Sequence, residues 1–324
     1  MAAWVGKRRQ MSGRAQIRML NDGRRVHMQD GPIDLILEAF GSHSNVALAY
    51  RAAASRFVTV LDELCGELAV LRQQAREDAP LPAGSMARHM FEAVRPYAAR
   101  QFITPMAAVA GAVAEEILRA MTSAAPISRA YVNDGGDIAL YLTSGQAFVV
   151  GMVEYPDTGA NLAYRTPPNG RHFVSPLFGS TTIRFEQPIR GIATSGWRGR
   201  SFSLGIADAV TVLADTASMA DAAATIVANA VDLPGHPGIG RARACDLAPD
   251  SDLGERWVTQ SVSGLSATEI REALEGGVRE AESLSAAGLI RAAALTLQGT
   301  VRVVGAVDSS LIDASSMRGS FVHA

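Results

Sequence analysis

Between residues 44 and 77, apolar side chains recur every three or four positions, at Phe57, Val60, Leu61, Leu64, Leu68 and Leu71. That period is one face of an α-helix, so the stretch predicts a long amphipathic helix. The segment EDAPLPAG, residues 77–84, ends it, because proline and glycine there cannot extend the helical ladder. A second helix is expected after Thr104, with Thr104 as its N-cap and Pro105 at the tolerated first position. It continues as MAAVAGAVAEEILRAM, whose early turns are small enough to admit another backbone or a ligand.

β-Prone runs then take over at 129–133, 138–142 and 147–153, separated by glycine-bearing turns. Residues 154–179, rich in proline, glycine and asparagine, read as a long loop or weak strands. Buried strands are expected at 189–193 and 210–214, followed by a helix over 219–230. The stretch 233–256 reads as a loop that links subdomains. A helix starting at Ser266 or Thr268 and a terminal strand over 294–304 complete the pattern, with a fraying tail. Residues 1–30 are polar and basic, and Asn21-Asp22-Gly23 predicts the turn of a short hairpin.

Strands, helices and hairpins mixed in this order indicate an α+β fold rather than strict βαβ alternation. The expected organisation is a core over 1–260 with an N-terminal helical elaboration, and a C-terminal helix and strand over 261–324 packed on it. No internal repeat is evident; Ala-Asp at 207–208, 214–215 and 220–221 reads as a local alanine bias.

The 324 residues are 48% hydrophobic and 19% charged, which suits a globular chain rather than a disordered one. A net charge of −2 gives no global electrostatic case for nucleic acid or an acidic membrane. Lys7-Arg8-Arg9 and Arg24-Arg25 read as solvated surface. Cys65 and Cys245 are far apart and form no CxxC, so reduced thiols and a cytoplasmic location are expected. The first residues lack a signal peptide's apolar stretch, and no segment offers the ~18 apolar residues of a membrane span.

The candidate chemistry lies in short motifs, each with a bland counterpart. Asn133-Asp134-Gly135-Gly136-Asp137 is a strong hairpin-turn signal, yet its glycines also admit close approach to a phosphate. Thr194-Ser195-Gly196 ends a buried strand and offers hydroxyls and N–H groups to an anion, or is a turn in which serine bonds its own backbone. Asp221 and Thr225, four residues apart, share one helical face as a hard-cation site needs. Alternatively, Ser218 and Asp221 form a capping box, and Thr225 bonds a carbonyl one turn back. Asp246, Asp250 and Asp252 lack EF-hand spacing and read as turn residues. His172 reads as a surface residue in the long loop. Neither a Walker A motif nor GxGxxG occurs.

Taken in order, NDGGDI (133–138), IATSG (192–196), VTVLA (210–214) and ADAAAT (220–225) resemble the ApbE family. These are Mg-dependent flavin transferases that move FMN from FAD onto a protein threonine. The chain is more similar still to an ApbE-like branch in which TPMAAVAGAVAE, NDGGDI, GIATSG, GRSFSLGIADAVTVLA and DSDLG recur in this order. The likeness to that branch spans roughly residues 95–260, and to the transferases roughly 130–230 in pieces.

The resemblance implies mixed sheets with packed helices and a nucleotide cleft between two interlocked lobes. By match to ADAAAT, Asp221 and Thr225 would be the magnesium ligands. Asn133, Gly135, Gly136, Asp137, Thr194, Ser195 and Gly196 would border FAD. Mg²⁺ would neutralise diphosphate charge. The chain departs from the transferases between TSG and the VTV strand. There they carry HxxDPxTG, whereas RGRSFSLGIAD (198–208) runs straight on. The string YPDTG (155–159) echoes that segment on the other side of TSG, and Thr104-Pro105-Met106 replaces a lysine-glycine element.

The expectation is therefore an Mg-dependent, ApbE-like protein acting on or binding a phosphate-bearing cofactor, FAD foremost. The alternatives are a non-catalytic flavin or nucleotide binder, or an enzyme of pterin or one-carbon cofactor biosynthesis. A small-molecule partner is expected, without nucleic acid or membrane; a homo-oligomer is compatible.

Overall fold

The structure is a computed structural model that describes residues 14–153, 177–305, 309–310 and 321–323. Lys7-Arg8-Arg9, residues 154–176 with the YPDTG string and His172, and most of the tail lie outside the described residues.

The N-terminal hairpin follows its turn signal. Strand β1 (Gln16–Met19) returns antiparallel as β2 (Val26–Asp30). Asp22 Oδ1 accepts the backbone N–H groups of Arg24 and Arg25 at 2.9 and 3.0 Å, the local bonding that favours Asp in turns. A third strand, β3 (Ile33–Phe40), not expected from the sequence, joins β2 and buries Ile33, Leu35, Leu37 and Ala39 at a period of two.

The long helix α1 (His43–Leu71) starts at Ser42, whose side chain accepts from the Asn45 N–H. It stops before residue 77 because Ala75 N–H turns away to the Ile103 carbonyl at 2.8 Å. An unpredicted helix, α2 (Ser85–Val94), buries Met86, Met90, Phe91 and Val94 at helical spacing. The helix expected after Thr104 opens with a 3₁₀ turn over 105–108 and continues as α3 (Val109–Ala124).

The predicted strands are β4 (Arg129–Asp134), β5 (Asp137–Leu142), β6 (Ala147–Val153), β8 (Gly191–Ser195) and β9 (Ala209–Ala214). Residues 177–179, expected in the loop, belong to β7 (Leu177–Arg184), paired with β6. Helix α4 (Ala217–Ala230) follows β9. The expected linker at 233–256 instead contains β10 (Ile239–Arg243) and the short α5 (Ala244–Leu247). β10 forms a hairpin with β11 (Trp257–Val262), which is tied to the body by Thr259 N–H to Ser203 O at 2.9 Å. Helix α6 (Ala267–Ala286) begins at Ser266 with a reciprocal capping box to Glu269. The single terminal strand is really a hairpin, β12 (Ala292–Leu297) and β13 (Thr300–Val304). It turns at Gln298 and Gly299, both with positive φ. Strands β14 (Ser309–Ser310) and β15 (Phe321–His323) complete the order.

Among the described residues, nine strands form one sheet in the order β1-β2-β3-β4-β5-β8-β9-β12-β13, every pair antiparallel. Helices α1, α3, α4 and α6 pack on one face, where Phe57, Val113, Ile117, Val210, Val212 and Leu295 are buried in the main core. On the other face, Tyr131, Ile138, Leu140 and Ile192 meet Phe148, Val150 and Ile183 of the smaller β14-β7-β6-β15 sheet. The fold is α+β. Its topology sets the start of β5 beside the end of β8, with α4 lying across both.

Candidate functional site

The β4–β5 connection is a two-glycine hairpin. Gly135 and Gly136 have φ of +65° and +117°, which L side chains seldom adopt, and Asn133 Oδ1 accepts the Gly136 N–H at 2.8 Å. The hairpin reading of NDGGD holds. The same turn also presents two carboxylates, Asp134 ending β4 opposite Asp137 starting β5.

Asp137 Oδ1 accepts the Thr194 N–H at 3.1 Å, so the NDGGD and TSG motifs are joined directly. Thr194 Oγ1 in turn lies 2.9 Å from Thr211 Oγ1 on β9. Gly196 allows a close packing, since a Cβ there would sit 2.5 Å from the Asp208 carbonyl oxygen. The serine turn expected at Ser195 is not formed: among the described residues its hydroxyl makes no hydrogen bond.

On α4 the N-cap is Thr216, whose hydroxyl accepts the Met219 N–H at 3.3 Å. The Ser218–Asp221 capping box is therefore absent. Asp221 reaches instead to the next helix, where its Oδ2 accepts the Gly111 N–H at 3.1 Å in the first turn of α3. The carboxylate does satisfy a helix N-terminus, but not its own. Gly111 permits this approach, because a Cβ there would overlap the Ala217 carbonyl. At that point the room left by the small residues of α3 is filled by α4. Thr225 is half-buried one turn beyond Asp221, and among the described residues its hydroxyl makes no hydrogen bond, the expected backbone bond included.

Asp134 is sealed at 4% exposure, whereas Asp137 and Asp221 are half-buried and remain accessible. Burial, reinforced by the Asp137 charge, pushes Asp134 up to about 8. Burial and repulsion from Asp221 likewise hold Asp137 well above the ordinary carboxylate range. Asp221 is pushed up to about 7 by burial and by the charges of Asp134 and Glu115, against the opposing Gly111 N–H bond. Among the described residues the cation beside Asp134 is Arg200, from the loop after β8, whose Nη2 lies 3.8 Å from Asp134 Oδ1.

A second polar group adjoins this cluster. His89 Nε2 on α2 lies 2.6 Å from Glu115 Oε2 and 2.9 Å from Ser218 Oγ. Glu115 Oε1 accepts the Ser218 N–H at 2.7 Å and its hydroxyl at 3.1 Å. Serine and glutamate thus share one imidazole nitrogen, which is an ion pair around a helix start rather than a nucleophilic triad.

The structure therefore brings NDGGD, TSG, ADAAAT and the start of α3 to one place. Sequence reading missed Arg200, Glu115 and His89, and took Asp134 only as part of the NDGGD turn. Of the loop acids, Asp252 accepts a 2.5 Å bond from the Thr104 hydroxyl, and Asp246 pairs with Arg243 on the surface. Among the described residues, no group of three or more His, Cys, Asp or Glu side chains is arranged to hold a metal, and no helix is long and apolar enough to cross a membrane.

Comparison with known proteins finds a family model described as AbpE bacteria, which matches residues 17–303. Similar curated proteins carry the name UPF0280. The one from Methanococcoides burtonii is 35% identical over 141 residues, 43% of this chain and 51% of that protein. The one from Methanopyrus kandleri is 33% identical over 168 residues, 52% and 58% of the two chains. An Archaeoglobus fulgidus relative is 37% identical over 129 residues, 40% and 45%. The matched region spans about half the length of these relatives.

Proposed function

The chain belongs to the AbpE bacteria family, and on that footing we propose that it is an Mg²⁺-dependent, ApbE-like protein that holds a phosphate-bearing cofactor, FAD foremost, over the β4–β5 turn. The observation that carries this reading is the meeting of Asp134, Asp137 and Asp221 with, among the described residues, one half-exposed arginine as counter-charge. Such a cluster favours a cation, and Asp221 with the Thr225 hydroxyl supplies the hard oxygen atoms that Mg²⁺ prefers. Mg²⁺ ordinarily takes one or two carboxylates and completes its shell with water and substrate phosphates, so a three-acid cage is not required. When bound, it neutralises diphosphate charge.

In this reading Asp221 and Thr225 hold the metal. Gly136 keeps its side of the turn open where the cofactor approaches, Gly135 leaves room for the Arg200 guanidinium, and Asn133 fixes the turn's shape. Asp137 positions the TSG end of β8, leaving the Ser195 hydroxyl and the Gly196 backbone beside the ligand. The reading includes a cytoplasmic location and a small-molecule partner.

Binding without transfer is the second reading, and the 197–208 loop favours it. Where the resembling transferases carry HxxDPxTG, Arg198 Nε and Trp197 Nε1 are tied to Asp208 at 2.6 and 3.1 Å. No histidine or DP pair is present there.

The test is calorimetric titration of the purified protein with FAD, with and without millimolar Mg²⁺. Mg²⁺-dependent binding supports the proposal, and no FAD binding at any Mg²⁺ concentration removes its flavin half. A protein that binds FAD yet never labels a threonine-containing acceptor supports the second reading.

A further inference from the structure

Two arginines stand two residues apart in the loop after β8, and their surroundings differ. Arg198 is held to the buried Asp208 at 2.6 Å and lies over the Trp197 ring at 4.6 Å. Arg200 makes no hydrogen bond among the described residues and its side chain is 53% exposed. Its guanidinium nevertheless lies across the β4–β5 turn, 3.8 Å from Asp134 Oδ1. Only glycine at 135 leaves it that berth, because a Cβ there would overlap Nη2.

A guanidinium committed to a carboxylate makes short, paired bonds of about 2.8 Å. Arg200 is instead drawn to the turn by charge at longer range, with its donors unpaired and its outer surface open. We propose that Arg200 is the oxyanion-recognising residue of this site, gripping a phosphate or diphosphate group of the ligand with its planar fork. The inference rests on the reading of a phosphate-bearing ligand given above, and it assigns the side chain that recognises the phosphate. It also gives the loop in place of HxxDPxTG a task, since that loop delivers the arginine.

Inorganic pyrophosphate is the probe, titrated calorimetrically into the full chain at fixed millimolar Mg²⁺, with Mn²⁺ affinity measured separately. R200Q is expected to weaken pyrophosphate binding by about tenfold or more while leaving Mn²⁺ affinity no weaker than wild type. R200K, which keeps the charge and loses the fork, should fall between them. If R200Q binds pyrophosphate as tightly as wild type, the assignment is overturned and the cofactor reading stands. If the wild-type protein binds no pyrophosphate, both fall. Should R200Q fail to fold, R200K decides: weakened binding supports the fork, and unchanged binding removes it.

Discussion

The Asp221 carboxylate on α4 accepts the backbone N–H of Gly111 on α3 at 3.1 Å. One side chain thus caps a neighbouring helix and adds negative charge to a cluster that already holds two carboxylates. The two roles separate by substitution. D221N keeps an acceptor for Gly111 and removes the charge, whereas D221A removes both. At pH 8 without divalent cation, D221N should be at least as stable as wild type. D221A should fall below D221N by about 1 kcal/mol, the usual worth of a helix cap. Both should lose Mg²⁺-dependent stabilisation in denaturant melts. Equal melts for the two variants would dismiss the cap, and retained Mg²⁺ stabilisation would dismiss Asp221 as a ligand.

The raised carboxylates make stability pH-dependent in a definite direction. Asp134 is lifted to about 8 and Asp221 to about 7, and buried Glu38 on β3 is raised by the same cause. The native state therefore keeps protons that the unfolded chain releases near pH 4. Their stabilising contribution is complete below about pH 4 and is lost as pH rises through 7 and 8. Without divalent cation, the urea midpoint should drop from pH 5 to pH 8. Mg²⁺ should restore part of the loss at pH 8, and D134N should flatten the slope. A midpoint that does not change over this range contradicts the arrangement.

Much of the fold was legible because its signals are local. The Asn21–Gly23 turn, the small strands around NDGGD and the Ser266 cap depend on residues a few positions apart. What escaped depends on partners far along the chain. β3 is held between β2 and the distant β4, and α1 is shortened by the Ala75–Ile103 bond. The recurring Ala-Asp pairs looked like composition, yet each aspartate has a separate partner. Asp208 holds Arg198, Asp215 binds Arg291 at 2.6 Å, and Asp221 caps α3. In the candidate site, the motif glycines and Asp221 were visible as patterns. Arg200 and Glu115 were not, because no spacing rule links them to residues more than sixty positions away.

Glycine-to-alanine changes should have opposite signs at two helical positions. Gly66 lies on the exposed face of α1 with nothing near its Cβ position, so G66A should stabilise by about 0.5–1 kcal/mol through helix propensity. Gly111 faces the Ala217 carbonyl and the Ser218 nitrogen, both backbone and unable to swing aside. G111A should cost about 2–3 kcal/mol as an overpacked contact. It should also weaken Mg²⁺ binding by displacing α4. Paired chemical melts check both, and a neutral G111A would mean that the helices separate more easily than their contact suggests.

Asp208 offers the last prediction, because it anchors the loop that delivers Arg200. At 1% exposure, its Oδ1 accepts from Arg198 Nε at 2.6 Å and Trp197 Nε1 at 3.1 Å, while Oδ2 accepts the Gln298 N–H at 2.6 Å in the β12–β13 turn. Removing this carboxylate takes the acceptor from the Trp197 indole and the Gln298 amide, while Arg198 is open to solvent, so D208A should cost about 1–3 kcal/mol. D208N retains one acceptor oxygen and should cost less. Trp197 fluorescence should report the loosened loop in either variant. In D208N, assayed well below its melting temperature, pyrophosphate affinity should fall although no atom of Asp208 reaches Arg200. Unchanged affinity with altered fluorescence would show that Arg200 keeps its place through the carboxylates of the β4–β5 turn alone, independently of the loop's anchor.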